Sequence, residues 1–311
     1  MVTIGLLHSG SKESFTRQVG ALVTGLAVKG YQRGTDYDIL EKWALDKVDI
    51  LNGNARDLVR DENVKLIVAA GGPQPAMAAM SWTDREQSTI PERDRKPIVF
   101  TTVANPAGNG LVGKNATGMA GKTSELDDDR LRLLAELLKD LPGKKKVHAF
   151  FKKNRPGLQV HKTYLNGVAT NELVMDPLDV TEADDDDDID NSFSAARFAN
   201  THAILVTADS FFNNRRKKMV DKAIQVKRPA IYQWREFVEL GGLMSYGPSL
   251  NEAYVFAGVY AARILFDKKE KPADIPLSEP TSRELVINLK TADAIKFTVP
   301  RSLRDRAELI E

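Results

Sequence analysis

Short apolar runs alternate with amphipathic segments along almost the whole chain, and this alternation restricts the fold more than any other feature of the sequence. Residues 2–8 form an apolar run, after which apolar side chains recur at helical spacing as far as Gly30. Residues 65–70 form a continuous apolar run, as is typical of a strand covered on both faces. Strands that alternate with helices at this spacing predict a parallel sheet with helices on both sides.

The same rhythm breaks at a glycine-rich segment, residues 108–121, and then starts again. A capping box at residues 124–127 predicts the start of the next helix. Two such series joined by a glycine-rich crossover predict an α/β fold with two similar Rossmann-like lobes. The expected strands are residues 2–8, 37–44, 65–70, 97–103 and 116–119, then 147–151, 173–178, 203–207 and 230–234.

The composition excludes several kinds of site and partner. The 311 residues contain no cysteine, which excludes disulfides, Cys-ligated zinc, iron–sulfur clusters and thiol nucleophiles. A formal charge of +1 provides no concentrated basic field for nucleic acid or an acidic membrane. No apolar run approaches the ~18 to 20 residues of a membrane span. Residues 2–7 already resemble a core strand, so any signal peptide of an exported protein is expected to have been removed.

The sequence lacks a recognisable nucleotide-binding loop. Residues 108–114 resemble a phosphate-binding loop, but Asn115 follows where a magnesium-binding Ser or Thr belongs. A second candidate ends in Gly-Lys-Thr at residues 121–123, but Ala116 occupies the position of its first glycine. No Gly-x-Gly-x-x-Gly follows the first strand. We therefore expect no cofactor.

Catalytic and metal-binding patterns are also missing from the sequence. The histidines show no metal-ligand spacing, and His148 and His202 are predicted to pack in or beside strands. His8 ends a predicted strand, where it could equally pack or contact a ligand. The side chains of the five consecutive aspartates at residues 184–188 are expected to point in different directions, so they would coordinate a cation poorly. We interpret them as a solvated run leading into a helix at residues 191–199.

The candidate binding residues cluster at the carboxyl ends of the predicted strands, where open α/β sheets bind ligands. Each of these loops, taken alone, could equally be only a turn or a helix cap. The predicted ligand-binding residues of the first half are Ser9, Gly10, Ser11, Phe15, Gly72, Pro73, Gln74, Val103, Ala104 and Asn105. Those of the second half are Thr123, Asn154, Ala208, Asp209, Tyr232, Gln233, Trp234 and Tyr246.

These loops predict a small polar or zwitterionic ligand. For an α-amino acid, Ser9, Ser11 and Gln74 would donate to the carboxylate. Asp209 would balance the ammonium, or else it caps a helix.

Aromatic side chains near the strand ends suggest the shape of the ligand. Phe15 on one side, with Tyr232, Trp234 and Tyr246 on the other, could enclose a ring or an apolar side chain. Phe15 and Trp234 could equally be core residues. The loops carry few carboxylates and amides, which favours an aromatic or apolar amino acid over a sugar or a polyamine.

Several stretches resemble ABC-transporter substrate-binding proteins of the tryptophan/tyrosine-transport type. The most specific is Arg-Glu-Phe-Val-Glu-Leu-Gly-Gly-Leu-Met-Ser-Tyr-Gly-Pro at residues 235–248. The others are residues 97–100, 105–106, 110–112, 116–119 and 284–292. The resemblance runs from the first strand to Glu311. The loop before Asn115 is shorter than is usual in that family, and the aspartate run is unusual for it.

The resemblance implies the type I periplasmic-binding-protein fold and a hinged receptor. Two discontinuous lobes would close over a solute in the cleft between them and present it to an ABC permease. Lobe one would comprise residues 1–118 and 249–271, and lobe two residues 120–248 and 272–311. The family further implies a periplasmic or otherwise extracytoplasmic monomer that is not an enzyme and binds no nucleic acid.

Two other classes of function share this architecture. A ligand-sensing regulatory core has the same bilobal fold, but the sequence shows no DNA-binding helical pair before the first strand. A Rossmann-like enzyme with a cleft between lobes is the other alternative, and the lack of cysteine excludes the thiol-based racemases.

Overall fold

The computed structural model describes residues 1–121, 126–267 and 269–311, apart from the side chains of residues 195 and 196. The chain forms two compact units, which we call unit 1 (Met1–Lys122 and Leu250–Thr281) and unit 2 (Thr123–Ser249 and Ser282–Glu311). The chain therefore passes from one unit to the other three times. Residues 272–281, which we expected in lobe two, belong to unit 1.

Strands and helices alternate through most of the described chain. The strands are β1 (Val2–His8), β2 (Tyr37–Trp43), β3 (Val64–Ala70), β4 (Ile98–Val103), β5 (Ala116–Ala120), β6 (Val147–Lys152), β7 (Asp179–Ala183), β8 (Ala203–Val206), β9 (Ala230–Tyr232), β10 (Met244–Gly247), β11 (Glu284–Asn288) and β12 (Glu308–Ile310). The helices are α1 (Lys12–Val28), α2 (Val48–Arg60), α3 (Pro73–Glu86), α4 (Asp127–Leu137), α5 (Leu158–Gly167), α6 (Asp186–Ser192), α7 (Ala195–Phe198), α8 (Ser210–Asn214), α9 (Arg216–Gln225), α10 (Arg235–Glu239), α11 (Leu250–Leu265), α12 (Leu289–Ala294) and α13 (Arg301–Arg304).

Unit 1 contains a parallel sheet with the strand order β2-β1-β3-β4-β5. Helices α1 and α11 pack so closely that their backbones touch at two glycines. A Cβ on Gly25 would lie 2.1 Å from the carbonyl oxygen of Val255, and one on Gly258 would lie 2.2 Å from that of Leu22. This crossing fixes α11, which comes late in the chain, against the first helix of the same unit.

Unit 2 contains a sheet with the strand order β12-β11-β10-β9-β8-β6-β7. Its strand pairs are parallel except for β10 and β11, which are antiparallel. The Leu131 and Leu134 side chains of α4 and the Phe151 side chain of β6 belong to one buried core. Two parallel-dominated sheets with helices make the α/β fold of type I periplasmic binding proteins, as the sequence predicted.

The predicted strand at residues 173–178 is wrong, because the strand beside β6 is β7, which starts at Asp179. A π-helical turn precedes the segment, and Val174 has a φ of +54°, which is incompatible with an extended strand. Met175 is nevertheless buried in the core of unit 2. The apolar residues of this segment are therefore buried by packing and not by strand pairing.

The predicted helix at residues 191–199 is also wrong in its position. Helix α6 begins inside the aspartate run, where the Asp185 carboxylate accepts a hydrogen bond of 2.8 Å from the Asp188 N–H. Ser194 then caps the separate short helix α7. The run is largely exposed and carries ion pairs, such as Asp186 with Arg215 at 2.5 Å. The aspartates therefore form the N-terminus of α6, where the helix dipole favours negative charge.

Two further observations concern the described residues. None of their helices combines the length and the apolarity that a membrane crossing needs. The first two residues of the predicted capping box, Ser124 and Glu125, lie outside the described residues.

Candidate functional site

The carboxyl edge of unit 1, meaning the loops that follow β1, β3 and β4, holds the predicted site residues of the first half. The Ser9 hydroxyl donates a hydrogen bond of 2.7 Å to the carbonyl oxygen of Gly71. Gly71 has a φ of +89°, and a Cβ there would lie 2.2 Å from the Ser9 oxygen, so the contact requires glycine. Because this proton is already donated, the Ser9 hydroxyl can only accept from a solute in this arrangement.

His8 lies beneath this edge and is completely buried. Its Nδ1 accepts a hydrogen bond of 2.8 Å from the Gly10 N–H, and its Nε2 lies 2.8 Å from the Tyr254 hydroxyl. Since Nδ1 accepts, the neutral ring carries its proton on Nε2 and donates it to Tyr254. Of the two roles that the sequence left open for His8, the structure therefore shows packing.

Phe15 is also a core residue in the structure. It is 1% exposed, and its ring centroid lies 4.1 Å from that of His8. The Trp43 ring also packs on His8, with a distance of 4.8 Å between the ring centroids. The backbone at Phe15 leaves helical geometry, with φ −130° and ψ 15°, which kinks the first turn of α1. Phe15 thus belongs to a buried aromatic cluster under the loop after β1, which is the core position that the sequence left open for it.

The remaining predicted residues of unit 1 differ in exposure. Ser11 is the N-cap residue of α1 without a side-chain capping bond, and Gln74 is exposed in the first turn of α3. Asn105 has a φ of +51° and accepts a hydrogen bond of 2.9 Å from the Gly108 N–H, as a turn residue does. Val103 is buried, Ala104 is exposed, and Gly72 and Pro73 start α3. The Ser11 hydroxyl donates a hydrogen bond of 3.3 Å to the Ser14 hydroxyl. The Gln74 amide, which donates to no other described residue, keeps its capacity to donate.

The carboxyl edge of unit 2, meaning the loops after β6 to β10, is organised by a buried ion pair. Asp127 and Arg130 lie one turn apart in α4, both side chains are completely buried, and their closest N–O distance is 2.5 Å. Burial raises the pKa of Asp127, whereas the Arg130 guanidinium lowers it. Arginine keeps its proton in proteins, and the positive charge of Arg130 favours the ionised form of the Asp127 carboxyl.

The pair holds three other segments to the first turn of α4. The Arg130 Nε donates to the Tyr246 carbonyl oxygen at 2.7 Å, at the end of β10. The Ala208 N–H, just after β8, donates to both carboxylate oxygens of Asp127, at 3.2 and 3.3 Å. The His161 Nε2 of α5 lies 3.5 Å from the same carboxylate. Asp127 and Arg130 therefore position two of the predicted site residues, Ala208 and Tyr246.

His161 is neutral in this setting. Burial and the positive charges of Arg155 and Arg130 together lower its pKa to about 4, although Asp128 opposes them. Its Nδ1 is in contact with the Arg155 guanidinium, which can only donate, so the ring proton lies on Nε2 and points towards Asp127. A neutral histidine thus lies beside the buried carboxylate without a hydrogen bond to it.

Asp209 caps a helix, which is one of the two roles that the sequence left open for it. Its Oδ1 accepts a hydrogen bond of 2.9 Å from the Phe211 N–H, in the first turn of α8. Its main-chain oxygen accepts a hydrogen bond of 3.0 Å from the Gln233 side chain. Burial raises the pKa of this carboxyl, and the Phe211 N–H opposes that effect. In the described part of the chain, no hydrogen bond to Oδ2 is present.

The aromatic residues predicted to form the opposing wall lie mostly inside unit 2. Tyr232 is completely buried and stacks on Phe237 with a centroid distance of 4.6 Å and an angle of 12°. Trp234 is 5% exposed, and Tyr246 is half-buried against the core of the unit. The Tyr232 ring has no accessible surface in this structure, because α10 covers the end of the strand.

Two predicted residues of unit 2 remain. Asn154 has a φ of +58° and is exposed, and its side chain donates to Asp184 at 3.3 Å. Thr123 lies outside the described residues.

Sequence reasoning missed Asp127 and Arg130 as organisers of the edge. The signal was present, because both positions continue the apolar stripe of α4 that runs through Leu131 and Leu134 at spacings of three and four residues. Charged residues on the apolar face of a helix are buried, and a buried charge needs a partner.

The described residues contain no group of three or more His, Asp and Glu side chains placed to hold a metal ion.

Comparison with protein families identifies the class of receptor. The family model described as "ABC transporter substrate binding protein" matches residues 3–310. The chain belongs to this family. Proteins of the family are typically extracytoplasmic, bind small molecules and work with ABC permeases, so this protein is a substrate-binding protein of an ABC transporter. A comparison with curated proteins finds no match.

Solved structures with the same fold include several binding proteins. A conserved domain protein from Vibrio cholerae has a TM-score of 0.81 and 22% identity, with 100% of this chain and 99% of that chain covered. An ABC domain from Streptococcus pneumoniae in complex with L-Trp has a TM-score of 0.76 and 22% identity, with 99% and 100% covered. An ABC transporter solute-binding protein from Agrobacterium vitis with bound allitol has a TM-score of 0.58 and 11% identity, with 98% and 97% covered.

Proposed function

We propose that this receptor binds an α-amino acid with an aromatic or apolar side chain and delivers it to an ABC permease, as in tryptophan/tyrosine transport. It acts as an extracytoplasmic monomer, without catalysis and without nucleic acid. The observation that carries the ligand class is the carboxylate of Asp209 at the carboxyl edge of unit 2.

Asp209 suits the ammonium group of an amino acid. One carboxylate oxygen caps α8, and within the described residues the other has no hydrogen bond, so a further donor can bind it without breaking the cap. The residue is partly buried, and a charge-assisted hydrogen bond is stronger when water is excluded. A ligand ammonium would also offset the desolvation of the carboxylate.

The carboxyl edge of unit 1 suits the carboxylate group of an amino acid. Ser11 and Gln74 lie in the first turns of α1 and α3, which are long helices whose first N–H groups attract negative charge. The hydroxyls of Ser9 and Ser11 are less suited to this role than we expected, since their protons are donated to Gly71 and Ser14. The Gln74 amide and the first N–H groups of the two helices are the donors that suit it.

A sugar or a polyol is the second candidate class, because a neighbour with the same fold contains allitol. Such ligands need many amide and carboxylate partners. Here Asn105, Asn154 and Gln233 already form hydrogen bonds with the chain itself. The neighbour that contains L-Trp supports the amino-acid class, and it is also the more similar of the two.

Native mass spectrometry of the protein as purified, followed by a thermal-shift panel of amino acids, sugars, polyols and polyamines, tests the proposal. We expect the retained or stabilising ligand to be an aromatic or apolar amino acid. Stabilisation by a sugar or polyol with all amino acids silent would refute the ligand class, although the family assignment would stand.

A further inference from the structure

Unit 2 has a concave pocket at the opposite end of its sheet, where β6, β8 and β9 begin. We call it the amino-edge pocket, and its volume is about 440 Å³. Its charged lining consists of Lys146, Lys227, Arg228 and Lys296, and no carboxylate of the described residues lines it. Pockets of this size accommodate small molecules or a headgroup. The charged groups in the lining therefore favour an anion.

The three lysines of the pocket are unpaired. In the described part of the chain, Lys146, Lys227 and Lys296 take part in no ion pair and in no side-chain hydrogen bond. Arg228 donates to the Phe198 carbonyl oxygen at 2.9 and 3.1 Å and is held in place. The positive charge is therefore available to a ligand and is not used by the fold.

Two helices end at this pocket, and their dipoles do not cancel its charge. Lys227 and Lys296 follow the ends of α9 and α12 with φ values of +52° and +57°, where glycine is the usual residue. Each helix end contributes about half a negative charge. The four cationic side chains therefore leave a net positive charge of about three after the two helix ends are counted. Lysine at both strained positions concentrates positive charge at one pocket.

His202 adds a neutral donor to the lining. Its Nδ1 accepts a hydrogen bond of 2.9 Å from the Lys146 N–H, so its proton lies on Nε2. Burial lowers the pKa of His202, and Lys145, Arg228 and Lys146 lower it further, whereas Asp176 opposes them. The His202 ring is therefore a neutral donor beside these cationic side chains.

A pocket in unit 1 provides a comparison, because the fold itself supplies the partners of its cationic side chains. It has a volume of about 630 Å³ and lies where β3 and β4 begin. Its cations are compensated within the fold, since Arg60 pairs with Glu86 at 2.9 Å and Lys96 donates to three carbonyl oxygens. The amino-edge pocket of unit 2 lacks this compensation among the described residues.

We propose that the amino-edge pocket of unit 2 is a second binding site, which takes a phosphoryl group. A phosphate monoester or inorganic phosphate carries nearly two negative charges at pH 7 and has several acceptor oxygens, which matches several lysines and one neutral donor. The apolar floor of Leu141, Ile295 and Phe297 lowers the local dielectric and strengthens these contacts. The group is supplied by free phosphate or by a phosphomonoester lipid headgroup such as that of phosphatidic acid, since both present the same chemistry.

Two titrations at constant ionic strength test this site and distinguish the two sources. The first is calorimetry with inorganic phosphate, and the second is co-sedimentation with phosphatidic acid vesicles against phosphatidylcholine vesicles. Constant ionic strength is required because salt screens lysine contacts. The variants are Lys146→Gln, Lys227→Gln and Lys296→Gln, which retain a non-glycine residue at the strained positions.

Lys290→Gln is the matched control, because Lys290 is an exposed lysine of α12 in the same unit that does not line the pocket. We expect saturable binding in one or both arms, weakened at least threefold by each pocket variant and unchanged in the control. Binding in the phosphate arm identifies a free anion, and binding only to the anionic vesicles identifies a headgroup. The absence of binding in both arms, or an equal loss in Lys290→Gln, would overturn the proposal.

Discussion

The carboxyl edges of the two units follow the same strand-to-helix topology but are built from different chemistry. In unit 1 the loops are joined by neutral hydrogen bonds, from Ser9 to Gly71 and from His8 to Tyr254, above a cluster of aromatic rings. In unit 2 the loops are joined through the buried ion pair of Asp127 and Arg130. Neutral contacts lose little solvation on burial, whereas buried charges lose much.

This difference has consequences for how each edge tolerates change. A buried ion pair is stable only when all its partners are present, so the edge of unit 2 should fail as a whole when one charge is removed. The edge of unit 1 consists of separable neutral contacts, each of modest strength. We therefore expect large and pH-dependent effects in unit 2 and small ones in unit 1.

Removal of the buried guanidinium should have the largest effect. Arg130→Met leaves the Asp127 carboxylate buried without its counter-charge, which costs about 3–5 kcal/mol of stability. Urea unfolding measures this loss. The double variant with Asp127→Asn should recover part of it, because no charge is then buried alone.

Arg132→Met is the control on the same helix. Arg132 pairs with Glu172 at the surface, and its side chain is 43% exposed. Exposed pairs contribute about 0–1 kcal/mol, so this variant should remain close to the wild type. Equal losses in the Arg130 and Arg132 variants would show that the buried pair does not organise the edge.

Asp209 allows the ligand role of the charged edge to be separated from its role in the fold. Asparagine caps helices as well as aspartate does, so Asp209→Asn should keep the stability but lose the partner of the ligand ammonium. We expect a loss of roughly 3 kcal/mol in binding, which is over a hundredfold in affinity, by calorimetry with the identified amino acid. Asp209→Ala should lose the same affinity and also ~1 kcal/mol of stability.

A normal affinity in Asp209→Asn would remove this residue from the ligand site. Thr123 and the other predicted residues would then have to account for recognition of the ammonium. The helix cap would remain as the single role of Asp209.

Acidification should weaken unit 2 through His161. The pKa of this residue is about 4 in the folded unit, below its ordinary value of 6.5. Between these two values the unfolded chain binds a proton that the folded unit excludes, so stability is complete above pH 6.5 and falls as the pH drops towards 4. The full difference corresponds to about 3 kcal/mol at most.

His161→Gln removes the titrating ring and should flatten this part of the pH profile. Urea unfolding at pH 7.5 and 4.5 compares the variant with the wild type. Parallel profiles for the two proteins would show that the edge of unit 2 does not sense pH through this histidine.

The fold was predictable because hydrophobic periodicity is a local signal. The strand β1, the continuous apolar run of β3 and the helix α1 lie where the pattern placed them. The pattern failed at residues 173–178, where burial without strand pairing produces the same apolar composition. It also gave no indication that β10 and β11 are antiparallel, since strand direction depends on chain reversal outside the strands.

The site was less predictable, because its contacts join distant parts of the chain. The partners His8 and Tyr254 are separated by 246 positions, and no local spacing relates them. Asp127 and Ala208 are separated by 81 positions. Residue type placed Asp209 and Gln74 at the strand ends, but only packing decides that Phe15 and Tyr232 turn inwards.

The neutral edge should lose little when one of its contacts is removed. Tyr254→Phe deletes the hydroxyl that lies 2.8 Å from His8 and leaves the ring in place. We expect a loss of about 1 kcal/mol in urea unfolding, as for an ordinary neutral hydrogen bond. A loss as large as that of Arg130→Met would contradict the contrast between the two edges.

The smallest effect is expected at Tyr232, and it tests whether this residue belongs to the core or to a ligand wall. Its ring is completely buried, and its hydroxyl has no hydrogen-bond partner among the described residues, as is also true of Tyr37 in unit 1. Removal of an unpaired buried hydroxyl costs nothing, so Tyr232→Phe and Tyr37→Phe should each change stability by less than about 0.5 kcal/mol, towards greater stability. Calorimetry with the identified amino acid should give the wild-type affinity for both variants. A selective loss of affinity in Tyr232→Phe, with Tyr37→Phe unchanged, would restore Tyr232 to the ligand site and show that unit 2 recognises its solute through an aromatic hydroxyl as well as through charge.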